Sequence, residues 1–211
     1  MNFDRVAPFY RTLEAIAFGN ALQRARIRWL RAIPKPGRAL ILGEGNGRFV
    51  WELLKVYPGA QIDCVDASER MLELVKTRLN ADAAGATDRV RFLHRDIREW
   101  APGGSYDLIV THFVLDCFEA GEMRRVVEKL GCAATSEATW LLADFTVPQT
   151  ALARLHAKVW LRAMYSFFRL AAGLRTKELF DPTEELIIHG FVRHSREVSR
   201  FGMLKSEVWR R

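Results

Sequence analysis

Ala39-Leu40-Ile41-Leu42-Gly43-Glu44-Gly45-Asn46-Gly47 is the stretch that decides the fold of this 211-residue chain. Its four consecutive apolar residues indicate a strand that is buried on both faces. The glycines at every second position predict a turn in which polar atoms of a ligand can approach the main chain, because no Cβ obstructs them. A helix that begins after the turn adds the positive end of its dipole. The stretch therefore predicts a ligand site at the end of a parallel strand.

The alternation of strand and helix continues along the chain. Strands are predicted at 61–65, 90–93, 107–111 and 139–143, and helices at 49–57, 70–79 (with Ser68 as N-cap) and 119–130. A short helix at 182–189 precedes two alternating segments, 191–200 and 203–209, with a turn at Phe201-Gly202. We therefore expect an α/β fold: a Rossmann-like, mostly parallel seven-stranded sheet with helices on both faces and a C-terminal antiparallel hairpin.

Two further segments lie outside this alternation. Residues 4–32 have helical spacing of apolar side chains, with a break at Gly19-Asn20, and Pro148 precedes a long helical stretch that reaches about Leu174. We expect an N-terminal helical cap at 1–38, followed by one domain at 39–211 with a helical insertion at about 148–180.

Asp66 ends the second predicted strand, 19 residues beyond Gly47. A carboxylate at this place can accept two hydrogen bonds from ribose hydroxyls, which indicates a nucleoside-containing cofactor. The glycine spacing argues against a dinucleotide, because the third glycine of GxGxxG is replaced by Arg48. No GxxxxGK[ST] motif occurs either.

Four segments follow one another along the chain: 39–47, Val65-Asp66-Ala67-Ser68 with Met71-Leu72, His94-Arg95-Asp96-Ile97, and 106–115. Together they resemble the motifs of class I S-adenosylmethionine-dependent methyltransferases. Asp4-Arg5-Val6-Ala7-Pro8-Phe9-Tyr10 and Gly190-Phe191 loosely resemble the ends of the ubiquinone and menaquinone biosynthesis enzymes. The resemblance implies S-adenosylmethionine as cofactor, with the ribose at Asp66 and the adenine amino group at Asp96. The implied cofactor contacts are Gly43, Glu44, Gly45, Asn46, Gly47, Asp66, Ala67, Met71, Asp96, Ile97 and His112.

The resemblance departs from the family pattern at one position. The family usually carries an acid two residues before the first glycine, where it helps to hold the methionine end of the cofactor, and this chain has Ile41 there. Glu44, inside the turn, is a candidate for the same role; the alternative is that it points to solvent.

Three residues are candidates for the chemistry of methyl transfer. His112 and Asp116 follow the fourth predicted strand, at the edge of the sheet where ligands bind in open α/β folds. His112 is interpreted as a base, as a cover for the methionine end, or as a structural histidine. Asp116 either contacts substrate or caps the helix at 119–130. Tyr10 either folds over the cofactor or packs an amphipathic helix.

Cysteine and hydropathy patterns limit the class of protein. The three cysteines are scattered, without the spacing of a zinc site, so we predict no metal site and a reducing compartment. No run of 18 apolar residues and no signal-peptide pattern occurs, and we expect a cytoplasmic protein, with peripheral membrane contact as an extension.

Charge is distributed in three blocks. Residues 1–42 carry a net charge of +6, residues 43–144 carry −5, and residues 145–211 carry +6. The basic arms either are solvated or meet something anionic, such as a membrane surface. Nucleic acid is less favoured, because Thr111-His112-Phe113-Val114 stands where amino-methylating enzymes have Asn-Pro-Pro-Tyr.

These observations favour methyl transfer to a small, hydrophobic or lipid-like acceptor. The alternatives are an RNA or protein methyltransferase, or a protein that binds S-adenosylmethionine without catalysis. The sequence leaves the acceptor atom and the oligomeric state open.

Overall fold

The computed structural model describes residues 18–82, 86–148 and 179–211, together with the isolated positions Arg154, Ser166, Arg169 and Thr176. The predicted helix before residue 18, with Tyr10, and most of the predicted helical insertion lie outside these residues. The division into a cap at 1–38 and an insertion at about 148–180 therefore stays a prediction.

The described chain alternates strands and helices as the sequence predicts. The elements are α1 (Ala21–Ile27), β1 (Arg38–Leu42), α2 (Arg48–Val56), β2 (Gln61–Asp66), α3 (Glu69–Asp82), β3 (Val90–His94), β4 (Tyr106–His112), α4 (Ala120–Cys132), β5 (Ala134–Phe145), α5 (Thr183–Ile188), β6 (Val192–Ser199) and β7 (Leu204–Arg210). Two short 3₁₀ helices lie at Ala86–Arg89 and Leu115–Cys117.

The seven strands form one sheet in the order β3-β2-β1-β4-β5-β7-β6. Strands β1 to β5 are parallel, whereas β7 is antiparallel to both β5 and β6. The predicted mostly parallel sheet with a C-terminal hairpin is thus confirmed. The chain crosses from one side of β1 to the other between β3 and β4, and this switch point opens a crevice at the carboxyl ends of β1 and β4.

Two predicted boundaries were wrong, each for a local reason. Strand β5 begins at Ala134 rather than Thr139, because Ala134 already lies opposite Tyr106 of β4, and the polar residues 135–137 fall within the register shift before Thr139 pairs with Leu108. Helix α1, the predicted helix after the break at Gly19-Asn20, ends at Ile27 rather than near residue 32. The chain continues beyond it in tighter turns, in which the Ala32 N–H donates to the Trp29 carbonyl.

Apolar side chains fill both faces of the sheet. One layer joins the strands to α4 through Leu40, Ile109, Trp140, Val127 and Leu130. The other joins them to α2 and α3 through Ile41, Val110, Phe49, Leu53 and Leu79. These layers hold the carboxyl ends of the parallel strands in register and so position the residues that follow each strand.

Asp63, in the middle of β2, is the centre of a buried polar cluster. Its carboxylate accepts hydrogen bonds from Arg91 at 2.7 and 2.8 Å, from the Tyr106 hydroxyl at 2.7 Å and from Arg38 at 3.1 Å. Burial raises the pKa of Asp63, but the bonds from Arg91, Tyr106 and Arg38 outweigh it and lower the pKa overall. Burial and the bond to Asp63 raise the pKa of Tyr106 to about 12. The cluster ties β2 to β1, β3 and β4.

We expect Asp63→Asn to lower the free energy of unfolding at pH 7 by about 1–3 kcal/mol, because a buried charge-assisted network loses its anion. The folded pKa of Asp63 is lowered, so the stabilisation is present above the ordinary aspartate pKa of about 4 and is lost as pH falls. Urea denaturation at a series of pH values should show the difference from wild type narrowing toward pH 3. Glu137→Gln, at an exposed carboxylate, is the control. A difference that is absent at pH 7, or independent of pH, would contradict this role.

Candidate functional site

The glycine turn joins β1 to α2 and adopts a backbone that other residues rarely reach. Gly43, Gly45 and Gly47 have φ angles of +68°, +72° and +78°, which explains why alternate positions are glycine. A Cβ on Gly43 would lie 2.6 Å from Cγ2 of Val114, in the loop after β4. The Gly43 N–H also donates to the Val65 carbonyl at 2.9 Å. The turn is therefore packed against the ends of both neighbouring strands.

We expect Gly43→Ala to lower the free energy of unfolding by at least about 2 kcal/mol, because the added methyl meets Val114 and the left-handed backbone disfavours a side chain. Gly103→Ala is the matched control, since its Cβ would contact nothing within 4 Å. Chemical denaturation of the two variants checks the comparison. Equal stabilities would show that the turn does not approach β4 as described.

Glu44 and Asn46 lie inside this turn, and both are buried. The Glu44 carboxylate accepts hydrogen bonds from the N–H groups of Phe49 at 2.8 Å and Val50 at 3.3 Å, in the first turn of α2. The alternative that Glu44 points to solvent is thus wrong. The Asn46 side-chain nitrogen is buried without a hydrogen-bond partner in the described part of the chain. A buried donor without a partner suits a ligand that supplies the acceptor.

Asp66 is the last residue of β2 and is half-buried. Its carboxylate accepts a hydrogen bond from the Ser68 N–H at 2.9 Å, and the Ser68 hydroxyl accepts one from the Met71 N–H at 3.1 Å. The prediction of Ser68 as N-cap is confirmed. The Ala67 carbonyl lies 3.1 Å from Nε2 of His94. Asp66 is thus held at the sheet edge, beside the glycine turn.

Asp96 follows β3 and forms a bidentate ion pair with Arg98, with contacts between 2.5 and 3.0 Å. The hydrogen bonds from Arg98 hold the pKa of Asp96 below its ordinary value. Ile97 is buried, and its carbonyl accepts a bond from the Lys129 ammonium at 2.9 Å. Sequence reasoning missed Arg98, which fixes the orientation of the Asp96 carboxylate.

His112 ends β4 and is buried. Its ring meets the Phe49 ring edge-on, with centroids 4.6 Å apart, and its Nδ1 has no hydrogen-bond partner among the described residues. Burial, and to a smaller extent the charge of Arg26, lowers the pKa of His112 well below its ordinary value. At neutral pH the imidazole is therefore uncharged. Arg26, which the sequence indicated only as part of a basic arm, also lies over the Phe113 ring at 5.2 Å.

Asp116 and Asp144 are two buried carboxylates after β4 and at the end of β5. Asp116 lies in the 3₁₀ helix Leu115–Cys117, and the N-cap of α4 is Glu119, whose N–H bonds to Glu122. The alternative that Asp116 caps α4 is therefore wrong. One oxygen of Asp144 accepts the Phe145 N–H at 2.8 Å, and the other has no partner in the described chain. Burial, and then the charge of Asp116, raises the pKa of Asp144 well above its ordinary value.

Asp144 was not among the residues that the sequence singled out. It is the one charged residue in the buried run 138–145, at the carboxyl end of a strand. An acid in that position, where apolar residues surround it on both sides, was the available indication of a site.

The described residues were compared with the arrangements that metal ions and membrane-spanning helices require. No group of three or more His, Cys, Asp or Glu side chains among them is placed to hold a metal ion. None of the described helices combines the length and hydropathy needed to cross a bilayer.

Comparison with known proteins adds to this geometry. Residues 40–140 match a family model described as a methyltransferase domain. A curated relative, the ribosomal protein uL3 glutamine methyltransferase of Neisseria meningitidis, is 36% identical over 84 residues. The match covers 40% of this chain but only 27% of that protein.

Solved structures share the whole fold at lower identity. The 1,6-didemethyltoxoflavin-N1-methyltransferase of Burkholderia thailandensis, solved with S-adenosylhomocysteine, has a TM-score of 0.70 at 15% identity, covering 99% of this chain and 85% of that one. The magnesium protoporphyrin IX methyltransferase of Synechocystis PCC 6803 has a TM-score of 0.67 at 19% identity, covering 96% of this chain and 87% of that one.

Proposed function

We propose that this chain, whose residues 40–140 match a methyltransferase-domain family, is a class I S-adenosylmethionine-dependent methyltransferase that transfers a methyl group to a small, hydrophobic acceptor. The observation that carries the proposal is the arrangement at the carboxyl edge of the sheet. The left-handed glycine turn and the half-buried Asp66 carboxylate lie at the ends of the adjacent strands β1 and β2. The Asn46 side-chain nitrogen, in the same turn, has no partner in the described chain.

The residues present fit S-adenosylmethionine, which would supply an activated methyl group. Asp66 is suited to the ribose hydroxyls, because its carboxylate is fixed at the end of β2. Asp96 is suited to the adenine amino group, with Arg98 holding it ionised. Ile41 replaces the acid of the family, and the Glu44 carboxylate binds the first turn of α2. We therefore assign the methionine end to Asn46 and His112, whose buried nitrogens lack partners in the described chain.

An aromatic cluster supports a hydrophobic acceptor. Phe113 directly follows His112 in a left-handed backbone conformation, with φ at 54°, which is strained for a phenylalanine. Its ring lies 5.3 Å from that of Phe145, which in turn lies 5.4 Å from that of Phe18. Apolar walls next to the reacting end exclude water and favour an apolar acceptor.

Protein methylation is the second candidate. It is favoured by the 36% identity, over 84 residues, to an enzyme named as a ribosomal protein uL3 glutamine methyltransferase. Against protein methylation, the segment Thr111-His112-Phe113-Val114 places an apolar side chain directly after β4, because the Phe113 ring packs against that of Phe145. The two solved structures named above are a magnesium protoporphyrin IX methyltransferase and a 1,6-didemethyltoxoflavin-N1-methyltransferase, so similarity to known proteins does not by itself select the acceptor.

The test is an incubation with methyl-labelled S-adenosylmethionine and a cell extract, separated into metabolites, protein and RNA. Label in the apolar small-molecule fraction is the expected result. Label in protein or RNA would replace the proposed acceptor by the alternative one. Cofactor binding without any transfer of label would leave only the non-catalytic interpretation.

We expect Asp66→Ala to weaken the binding of S-adenosylhomocysteine by at least about tenfold, or about 1.4 kcal/mol, because the ribose hydroxyls lose their acceptor. Isothermal titration calorimetry measures the change. Asp88→Ala, at an exposed carboxylate before β3, is the control and should bind as wild type does. Wild-type affinity in Asp66→Ala would contradict the assignment of the ribose.

A further inference from the structure

Asp144 is surrounded by groups that leave its second oxygen without a partner in the described chain. Lys205 of β7 lies directly opposite Asp144 in the antiparallel pairing, but its ammonium bonds to the Asp181 carboxylate at 3.0 Å. The charges of Asp116 and Asp181 raise the pKa of Asp144, whereas the charge of Lys205 and the bond from Phe145 lower it. The single bond that Asp144 accepts comes from the Phe145 N–H.

The contrast with Asp63 shows that the fold can satisfy a buried carboxylate. Asp63 is 5% exposed and accepts four hydrogen bonds, whereas Asp144 is 1% exposed and accepts one. A buried polar atom without a partner is costly, and native structures rarely retain one without a purpose. The difference therefore indicates that Asp144 is kept for a ligand rather than for stability.

Other buried polar atoms without partners occur near the same edge of the sheet. They are the Asn46 nitrogen in the turn after β1 and Nδ1 of His112 at the end of β4. The pairing of β4 with β5 sets His112 opposite Ala143, so Asp144 is the next residue along β5. The Phe113 N–H bonds to the Ala143 carbonyl at 2.7 Å, which fixes the two strand ends together. The side chain of Asp144 leaves the sheet on the face opposite to that of His112. The charges of Asp144 and Asp66 both raise the pKa of the Cys117 thiol, in the loop after β4, so Asp144 lies at the same edge of the sheet as the proposed cofactor site.

We propose that Asp144 binds a hydrogen-bond donor of the methyl acceptor, so that the acceptor is a hydrophobic amine or alcohol and not a carboxylic acid. The inference rests on the proposed function and names the substrate class of that same site. The donor group fills the oxygen of Asp144 that has no partner in the described chain, while the rings of Phe113 and Phe145 contact the apolar body of the acceptor. An anionic acceptor is disfavoured by the Asp144 carboxylate.

The burial of Asp144 supports the preference for an acceptor that donates a hydrogen bond. The pKa of Asp144 is raised, first by burial and then by Asp116, because two nearby negative charges repel each other in a poorly solvated place. A cationic or proton-donating group bound at the second oxygen of Asp144 offsets both effects.

The first experiment separates a ligand-binding role from a structural one. We expect Asp144→Asn to unfold at the same temperature as wild type or higher, since it removes a buried charge without changing volume, and to bind S-adenosylhomocysteine within about twofold of wild type. Asp63→Asn is the matched control and should unfold at a lower temperature. A loss of stability in Asp144→Asn like that in Asp63→Asn would overturn the proposal.

The second experiment tests the substrate class with three matched probes: 2-phenylethylamine, 2-phenylethanol and 3-phenylpropionate. Binding of each at millimolar concentration to protein saturated with S-adenosylhomocysteine is measured by ligand-observed NMR. We expect the amine and the alcohol to bind at least about tenfold more tightly than the carboxylate, and Asp144→Asn to abolish the preference, with Glu137→Gln as control.

Equal or tighter binding of 3-phenylpropionate, an unchanged preference in Asp144→Asn, or no binding of the amine and the alcohol would each overturn the proposal. Such a failure leaves the proposed function intact as long as S-adenosylhomocysteine still binds and label is still transferred. Loss of cofactor binding in the wild-type protein would instead contradict the proposed function itself.

Discussion

The close approach of Gly43 to Val114 is the constraint on which the carboxyl edge of the sheet depends. A single methyl group at residue 43 would lie 2.6 Å from the valine side chain, so the end of β1 and the loop after β4 can meet only through a glycine. Because β1 and β4 flank the switch point of the strand order, the same contact lies at the crevice between their carboxyl ends. Asn46, His112 and Asp116 are positioned by the two segments that this contact joins.

Two buried aspartates show how stability and function are divided over the sheet. Asp63 is surrounded by Arg38, Arg91 and Tyr106, and its charge strengthens the connection of four strands. Asp144, on β5, lies beside a lysine that is bonded elsewhere. The fold satisfies the Asp63 carboxylate fully but leaves one oxygen of Asp144 without a partner in the described chain, and this difference supports the proposed ligand role of Asp144.

Local patterns explain how much could be predicted from the sequence. Apolar runs and glycine spacing predicted the strands and the turn after β1, and the Ser68 cap depends on neighbours within three residues. The start of β5 was missed because residues 135–137 are polar and the strand begins with a single pair, Ala134 opposite Tyr106, before a register shift. The lack of a partner for one oxygen of Asp144 in the described chain could not be predicted, because it depends on the bond between Lys205 and Asp181. No local pattern in the sequence indicates a bond between such distant residues.

The most direct test of the central claim is a titration with S-adenosylhomocysteine followed by backbone amide NMR. The switch-point site predicts saturable shifts at residues 43–47, at Asp66 to Ser68 and at His112 to Val114. Strand β6, at the far edge of the sheet, should not respond. Shifts absent from the glycine turn, or confined to β6, would contradict a cofactor site built on the contact between Gly43 and Val114.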